Sequence, residues 1–139
     1  MSLTIEGIRV AVRAVLPEIR KLAPLAEENR QVPIGNMALL REAGFFRLVQ
    51  PRAFGGIEQD FDALVELTIE ISAACASTGW VAGIAAAHQW LVANFDEAAQ
   101  HDVWGSNPEA LVCGSYAPGG KAKPAAGGFR AGERALVVR

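Results

Sequence analysis

The feature that most constrains this chain is a smooth stripe in an otherwise apolar stretch. Cys75, Gly79, Gly83 and Ala87 recur every four residues within Ile71 to Ala87, a run made mostly of Ala, Gly, Ser and Thr. At 3.6 residues per turn these four positions form one slowly drifting line along a helix. A line of small residues lets another backbone approach closely, so the segment reads as a buried helix packed tightly against a neighbour. It does not read as a membrane span, because Trp80 sits in its middle and no Lys or Arg flanks it. From this smooth segment project one indole, Trp80, and one imidazole, His88, two turns and about 12 Å apart along the axis. Both carry polar atoms that need partners when buried, and together they mark a candidate pocket. Trp90 and Trp104 read as core or rim packing.

The remaining pattern is helical for about a hundred residues. Ile5 to Leu25 is amphipathic, with Pro17 expected to kink or divide it. Pro33 opens a second helix that closes at Gly44. Asp60 or Asp62 caps a third, through Leu64, Val65, Leu67, Ile69 and Ile71. Ser77-Thr78-Gly79 is expected to interrupt or cap before a fourth, Trp80 to Phe95, and a fifth runs from Asp96 to Trp104. After Pro108 the character changes. Leu111 to Tyr116 is strand-like, Pro118-Gly119-Gly120 is a turn, and Gly127-Gly128 joins two short strands. The fold class is therefore mainly α, followed by the start of an antiparallel β-domain. The boundaries are 1–108 for the helical domain and 109–131 for the β portion.

Composition bounds the function. The 139 residues are 51% hydrophobic and 20% charged, with a net charge of −2, so the chain is globular and neither nucleic acid nor an anionic membrane is an expected partner. Cys75 and Cys113 lack metal-ligand spacing and read as buried reduced thiols, which suits a cytoplasmic setting. Met1 to Gly7 lacks a basic signal-peptide region. Gly114-Ser115-Tyr116-Ala117-Pro118-Gly119-Gly120 leads a strand into a turn that can offer backbone N–H groups and a hydroxyl to a ligand. It matches neither a P-loop nor a dinucleotide fingerprint. Taken from the residues alone, the chain is a helical domain with a candidate pocket near Trp80, His88 and Ser115, and no reaction is specified.

Four segments together resemble the acyl-CoA dehydrogenase superfamily: Leu40-Arg41-Glu42-Ala43-Gly44-Phe45-Phe46-Arg47-Leu48-Val49-Gln50-Pro51, Phe54-Gly55-Gly56, Ser77-Thr78-Gly79-Trp80-Val81-Ala82-Gly83 and Phe95-Asp96-Glu97-Ala98-Ala99-Gln100. More specifically they resemble the oxygenase components of two-component flavin-dependent aromatic monooxygenases, from the first helix to about Arg130. True acyl-CoA dehydrogenases usually carry a Thr-Glu-Pro-x-x-Gly-Ser-Asp-like run from the position of Ser115 onward, which this chain lacks. The resemblance implies an N-terminal helical domain, a middle β-domain and a C-terminal four-helix bundle, assembled as a homotetramer. It implies reduced flavin, FMN or FAD, delivered by a separate flavin reductase, and hydroxylation of a small aromatic substrate with O2. It also implies that Trp80 lines flavin and substrate, that His88 orients or deprotonates a phenol, and that Gly114, Ser115 and Tyr116 contact the flavin, with the Ser115 hydroxyl facing substrate or ring. The alternatives are an acyl-CoA dehydrogenase, with FAD oxidising an acyl thioester, and a non-catalytic helical protein that uses this surface for association.

In the family, Gly128-Phe129-Arg130 leads into a Ser-Gly-x-Trp-x-Phe-x-Ser-Gly segment that cradles the flavin. This chain instead reads Gly132-Glu133-Arg134-Ala135-Leu136-Val137-Val138-Arg139. One codon set for those eight residues, GGC GAG CGG GCG CTG GTC GTT CGC, reads Ala-Ser-Gly-Arg-Trp-Ser-Phe when shifted by one base. Residues 132–139 are accordingly expected to be an out-of-frame tail, and the 139 residues alone are expected to bind flavin weakly or not at all.

Overall fold

A computed structural model describes residues 3–114 and 121–131. Their order is α1 (Ile5–Lys21), α2 (Ala23–Glu28), α3 (Ile34–Glu42), two short 3-10 turns, α4 (Phe61–Ala74), α5 (Ala76–Ala93), α6 (Glu97–Trp104), β1 (Ala122–Ala125) and β2 (Gly128–Ala131). Thr4 caps α1 by accepting from the Gly7 N–H at 3.1 Å, and Ile8, Val12 and Ile19 form its buried stripe. The helix runs through Pro17 and ends at Lys21; Leu22 then separates it from α2, whose first turn holds a proline. The predicted division thus falls five residues after Pro17, because the ring removes one N–H but leaves the other turns of a well-buried stripe intact. Gly44 adopts φ +80°, a left-handed stop for α3 that favours glycine.

The core gathers Ile8, Leu40, Phe45, Leu48, Leu67 and Ile71 from α1, α3, the first 3-10 turn and α4. On α4, Leu64, Leu67 and Ile71 point inward, whereas Val65 and Ile69 lie exposed. Two arginines of α1 reach across to α4: Arg9 meets Glu66 at 2.6 Å, and Arg13 makes a forked pair with Glu70 at 2.7 and 2.9 Å. Hydrogen bonding to Arg13, with its positive charge, holds the Glu70 carboxyl below its ordinary range.

Helices α4 and α5 pack closely. A Cβ built on Gly79 would lie 2.1 Å from Ser72 Oγ and 2.7 Å from the Ser72 backbone N and Cα; one on Gly83 would lie 2.7 Å from Thr68 Cγ2. Close packing is therefore what Gly79 and Gly83 provide. The helix break comes earlier than Ser77-Thr78-Gly79: Cys75 is extended at φ −154°, ψ 109°, and α5 starts at Ala76. Asp60 occupies the N-cap position of α4 without a side-chain cap bond. Asp96 caps α6, accepting from the Ala99 N–H at 2.8 Å. Beyond the helices, β1 and β2 form an antiparallel hairpin with Ala122 opposite Ala131 and Ala125 opposite Gly128, turning at Gly127 with φ +80°. Leu111 to Gly114 is irregular rather than a strand, while Ser115 to Gly120 and the 132–139 segment lie outside the described residues. Among the described residues no helix is long and apolar enough to cross a membrane.

Two measurements check this packing. Gly79→Ala sets a methyl against the Ser72 backbone and should destabilise the chain by about 1–3 kcal/mol in urea unfolding. Gly35→Ala meets nothing within 4 Å and should stay within about 1 kcal/mol of the parent. Separately, a carboxyl whose pKa is lowered in the folded state stabilises above its unfolded pKa and loses that contribution as pH falls through the folded value. Glu70→Gln should therefore lower the unfolding midpoint at neutral pH, and parent and variant should converge in strong acid.

Candidate functional site

The start of α5 is fixed by a buried polar chain. Asn36 Nδ2 donates to Thr78 Oγ1 at 3.0 Å, and Thr78 Oγ1 donates to Cys75 Sγ at 3.2 Å. All three residues are buried, so this chain ties α3 to the first turn of α5. Two residues on, Trp80 stands 72% exposed, because Gly79 and Gly83 occupy the face turned to α4. His88 lies two turns further and is only 4% exposed. Its Nδ1 sits 2.8 Å from the Ile84 carbonyl oxygen. A carbonyl only accepts, so Nδ1 carries the hydrogen, and in the neutral ring Nε2 is the basic nitrogen.

The opposite wall comes from the irregular segment after α6. Gln50 Nε2 donates to the Pro108 carbonyl at 2.9 Å, Arg41 Nη1 donates to the Glu109 carbonyl at 2.7 Å, and Arg47 forms an ion pair with the Glu109 carboxylate. From these anchors the chain runs through Val112 and Cys113 to Gly114, which faces His88. A Cβ on Gly114 would fall 2.6 Å from Nε2. Trp80, Ile84, His88, Val112 and Gly114 thereby line one cavity of about 260 Å³. Three of the sequence-predicted site residues, Trp80, His88 and Gly114, are brought together from two separate segments. Ser115 and Tyr116 lie outside the described residues.

Trp80 also borders an apolar groove of about 490 Å³ between α4 and α5, with Phe61, Val65, Ile69 and Ile84. A larger and more polar hollow of about 630 Å³ lies elsewhere, between Arg47, Phe54 and His101. The anchoring set Arg41, Arg47 and Gln50 was not singled out for the site from sequence. All three stand in the Leu40 to Pro51 segment that carries the family resemblance. Gln89, which has no evident sequence role, accepts from buried Trp104 Nε1 at 3.1 Å and locks α6 onto α5. Asn94 closes α5 by donating to the Trp90 carbonyl at 2.7 Å.

Residues 5–106 match the model of the acyl-CoA dehydrogenase N-terminal domain. The chain belongs to that family. Within the family it is similar to the oxygenase component of an FADH(2)-dependent resorcinol hydroxylase from Rhizobium sp. (strain MTP-10005), 56% identical over 119 residues that make up 86% of this chain and 29% of the relative. It is also similar to the flavin-dependent monooxygenase oxygenase subunit HsaA of Mycobacterium tuberculosis, 38% identical across 89% of this chain and 32% of the relative. The crystal structure of the M. tuberculosis HsaA monooxygenase superposes with a TM-score of 0.87 at 36% identity, covering 93% of this chain and 35% of that one. The chain therefore spans about a third of the length of the curated relatives it matches. The recognised family and the helical N-terminal fold agree with the resemblance read from sequence.

One expectation about the site is corrected by burial. Cys75 is buried, but Cys113 is exposed at the cavity wall. In the folded chain Cys113 should react readily with iodoacetamide while Cys75 stays protected until denaturant is added, as peptide mass mapping would register.

Proposed function

We propose that this chain supplies the N-terminal part of a flavin-dependent oxygenase component that hydroxylates a small aromatic compound. The observation that carries this reading is the convergence of Trp80, His88 and Gly114 on one apolar cavity with a single imidazole in its wall. The relatives' activities support it, since those named above are flavin-dependent hydroxylases or monooxygenases.

The residues fit one wall of a site for a planar ring. An exposed indole, apolar Ile84 and Val112, and a glycine with no side chain can lie against a flat ligand. The cavity of about 260 Å³ falls below the roughly 300–1,000 Å³ usual for a drug-sized ligand. Flavin and substrate together therefore need further walls beyond these residues. When bound, reduced flavin would supply the electrons that activate O2, one atom of which goes to the aromatic ring. Trp80 offers its indole face for stacking. His88 accepts the proton of a phenolic hydroxyl at Nε2, because Nδ1–H is already committed to Ile84. The same carbonyl then stabilises the imidazolium. Removing that proton makes the ring electron-rich, which favours attack on an electrophilic oxygen. Ile84 and Val112 limit water around the transfer.

In this reading Gly114, Ser115 and Tyr116 contact the flavin, FMN or FAD, with the Ser115 hydroxyl turned to ring or substrate. Residues 1–108 form the helical domain, 109–131 open the β-domain, and 132–139 are an out-of-frame tail. A separate reductase delivers the flavin, the complete protein is a cytoplasmic homotetramer, and the 139 residues alone hold flavin weakly or not at all.

A chimera tests the proposal, with residues 5–114 replacing the matching third of the 56% identical resorcinol hydroxylase component. With reduced flavin and O2 it should hydroxylate phenols, and His88→Ala should lower turnover by about 10²–10⁴-fold. A folded, flavin-binding chimera that forms no hydroxylated product, or is unaffected by His88→Ala, rules the reading out.

A further inference from the structure

We propose that Gly114 is a positioning residue for His88, acting through the side chain it lacks. The inference deepens the reading of His88 given above. Two contacts bear on where the imidazole lies. On one side Nδ1–H donates to the Ile84 carbonyl at 2.8 Å, within the same helix. On the other side the Gly114 backbone stands so near that a Cβ there would lie 2.6 Å from Nε2, 3.0 Å from Cδ2 and 3.7 Å from Cε1. The first is closer than real Cβ atoms come and the second is at the tight edge of what they tolerate, so any side chain at position 114 must move the ring or the segment that carries it.

The segment has little freedom to retreat. It leaves α6 through Pro108 and Glu109, whose carbonyls accept from Gln50 and Arg41 and whose carboxylate pairs with Arg47. The ring is therefore the part that gives way. Swinging it weakens the Nδ1–H bond to Ile84, and with that bond weakens a constraint on which nitrogen carries the hydrogen. Gly114 thus sets both where Nε2 points and which tautomer presents it. A glycine is required here by close approach to a side chain and not by its own backbone, since Gly114 has no positive φ.

The test uses the 139-residue chain and needs neither flavin nor substrate, so it succeeds or fails independently of the chimera. Nitrogen-15 NMR of the imidazole should show His88 of the parent chain protonated at Nδ1. In Gly114→Ala that signature should shift toward a mixture of tautomers, while Gly35→Ala leaves it unchanged. A double-mutant cycle supplies the second readout. Gly114→Ala should lower the unfolding midpoint when His88 is present and have little effect in a His88→Ala background. If Gly114→Ala unfolds the chain only when His88 is present, the proposal stands. An equal loss in both backgrounds, unfolding in both, an unshifted His88 signature in Gly114→Ala, or a parent chain protonated at Nε2 instead overturns it.

Discussion

Helices α4 and α5 meet where Gly79 rests on Ser72 and Gly83 on Thr68, too close for a single methyl group between them. That contact fixes the rotation of α5 about its own axis. With the small residues turned to α4, Trp80 is left facing outward and His88 is carried, two turns on, to the buried side beneath the 107–114 segment. Had larger residues occupied positions 79 and 83, α5 would have to move away or roll. The indole and the imidazole would then no longer border the same cavity. The bond chain from Asn36 through Thr78 to Cys75 reinforces this by holding the first turn of the helix.

A second constraint comes from the last turn of α3 and the loop that leads from it to α4. Arg41, Arg47 and Gln50 reach the far end of the chain's helical portion and grip Pro108 and Glu109. The gripped atoms include two backbone carbonyls, so the loop holds the path of the segment as well as one of its side chains. This is how residues seventy positions away in sequence come to decide where Gly114 lies.

Much of the architecture is legible in the residues because each signal has one physical cause. The four-residue recurrence through Gly79 and Gly83 has no other use than close packing, and Asp96 or Gly44 announces a helix end by chemistry that few other residues share. Where reading from sequence went astray, two causes competed. Ser77-Thr78-Gly79 has the composition of a break, yet the break sits at Cys75, because Thr78 is needed inside the helix to bridge Asn36 and the thiol. Leu111 to Gly114 has the composition of a strand, but it is irregular chain that brings Gly114 against His88. Gln89 was opaque for a different reason. Its role depends on Trp104, fifteen residues on, meeting it in space, and a lone amide in a helical run carries no trace of that partner. Trp80 and His88 were visible as outliers in a smooth segment; the approach of Gly114 to His88 was not, since glycine in a turn-rich stretch has many ordinary explanations.

The bond from His88 to the Ile84 carbonyl is internal to α5, and Trp80 stands on the same helix. Indole and imidazole are therefore mounted on one rigid rod and keep a constant span whatever the rest of the chain does. A ligand that touches both is gauged against a fixed ruler. The 107–114 segment is mounted differently: it is irregular and is held by Arg41, Arg47 and Gln50 rather than by α5. Within this architecture a ligand would be measured against two walls anchored independently of one another, the pair on the helix and the segment that faces it.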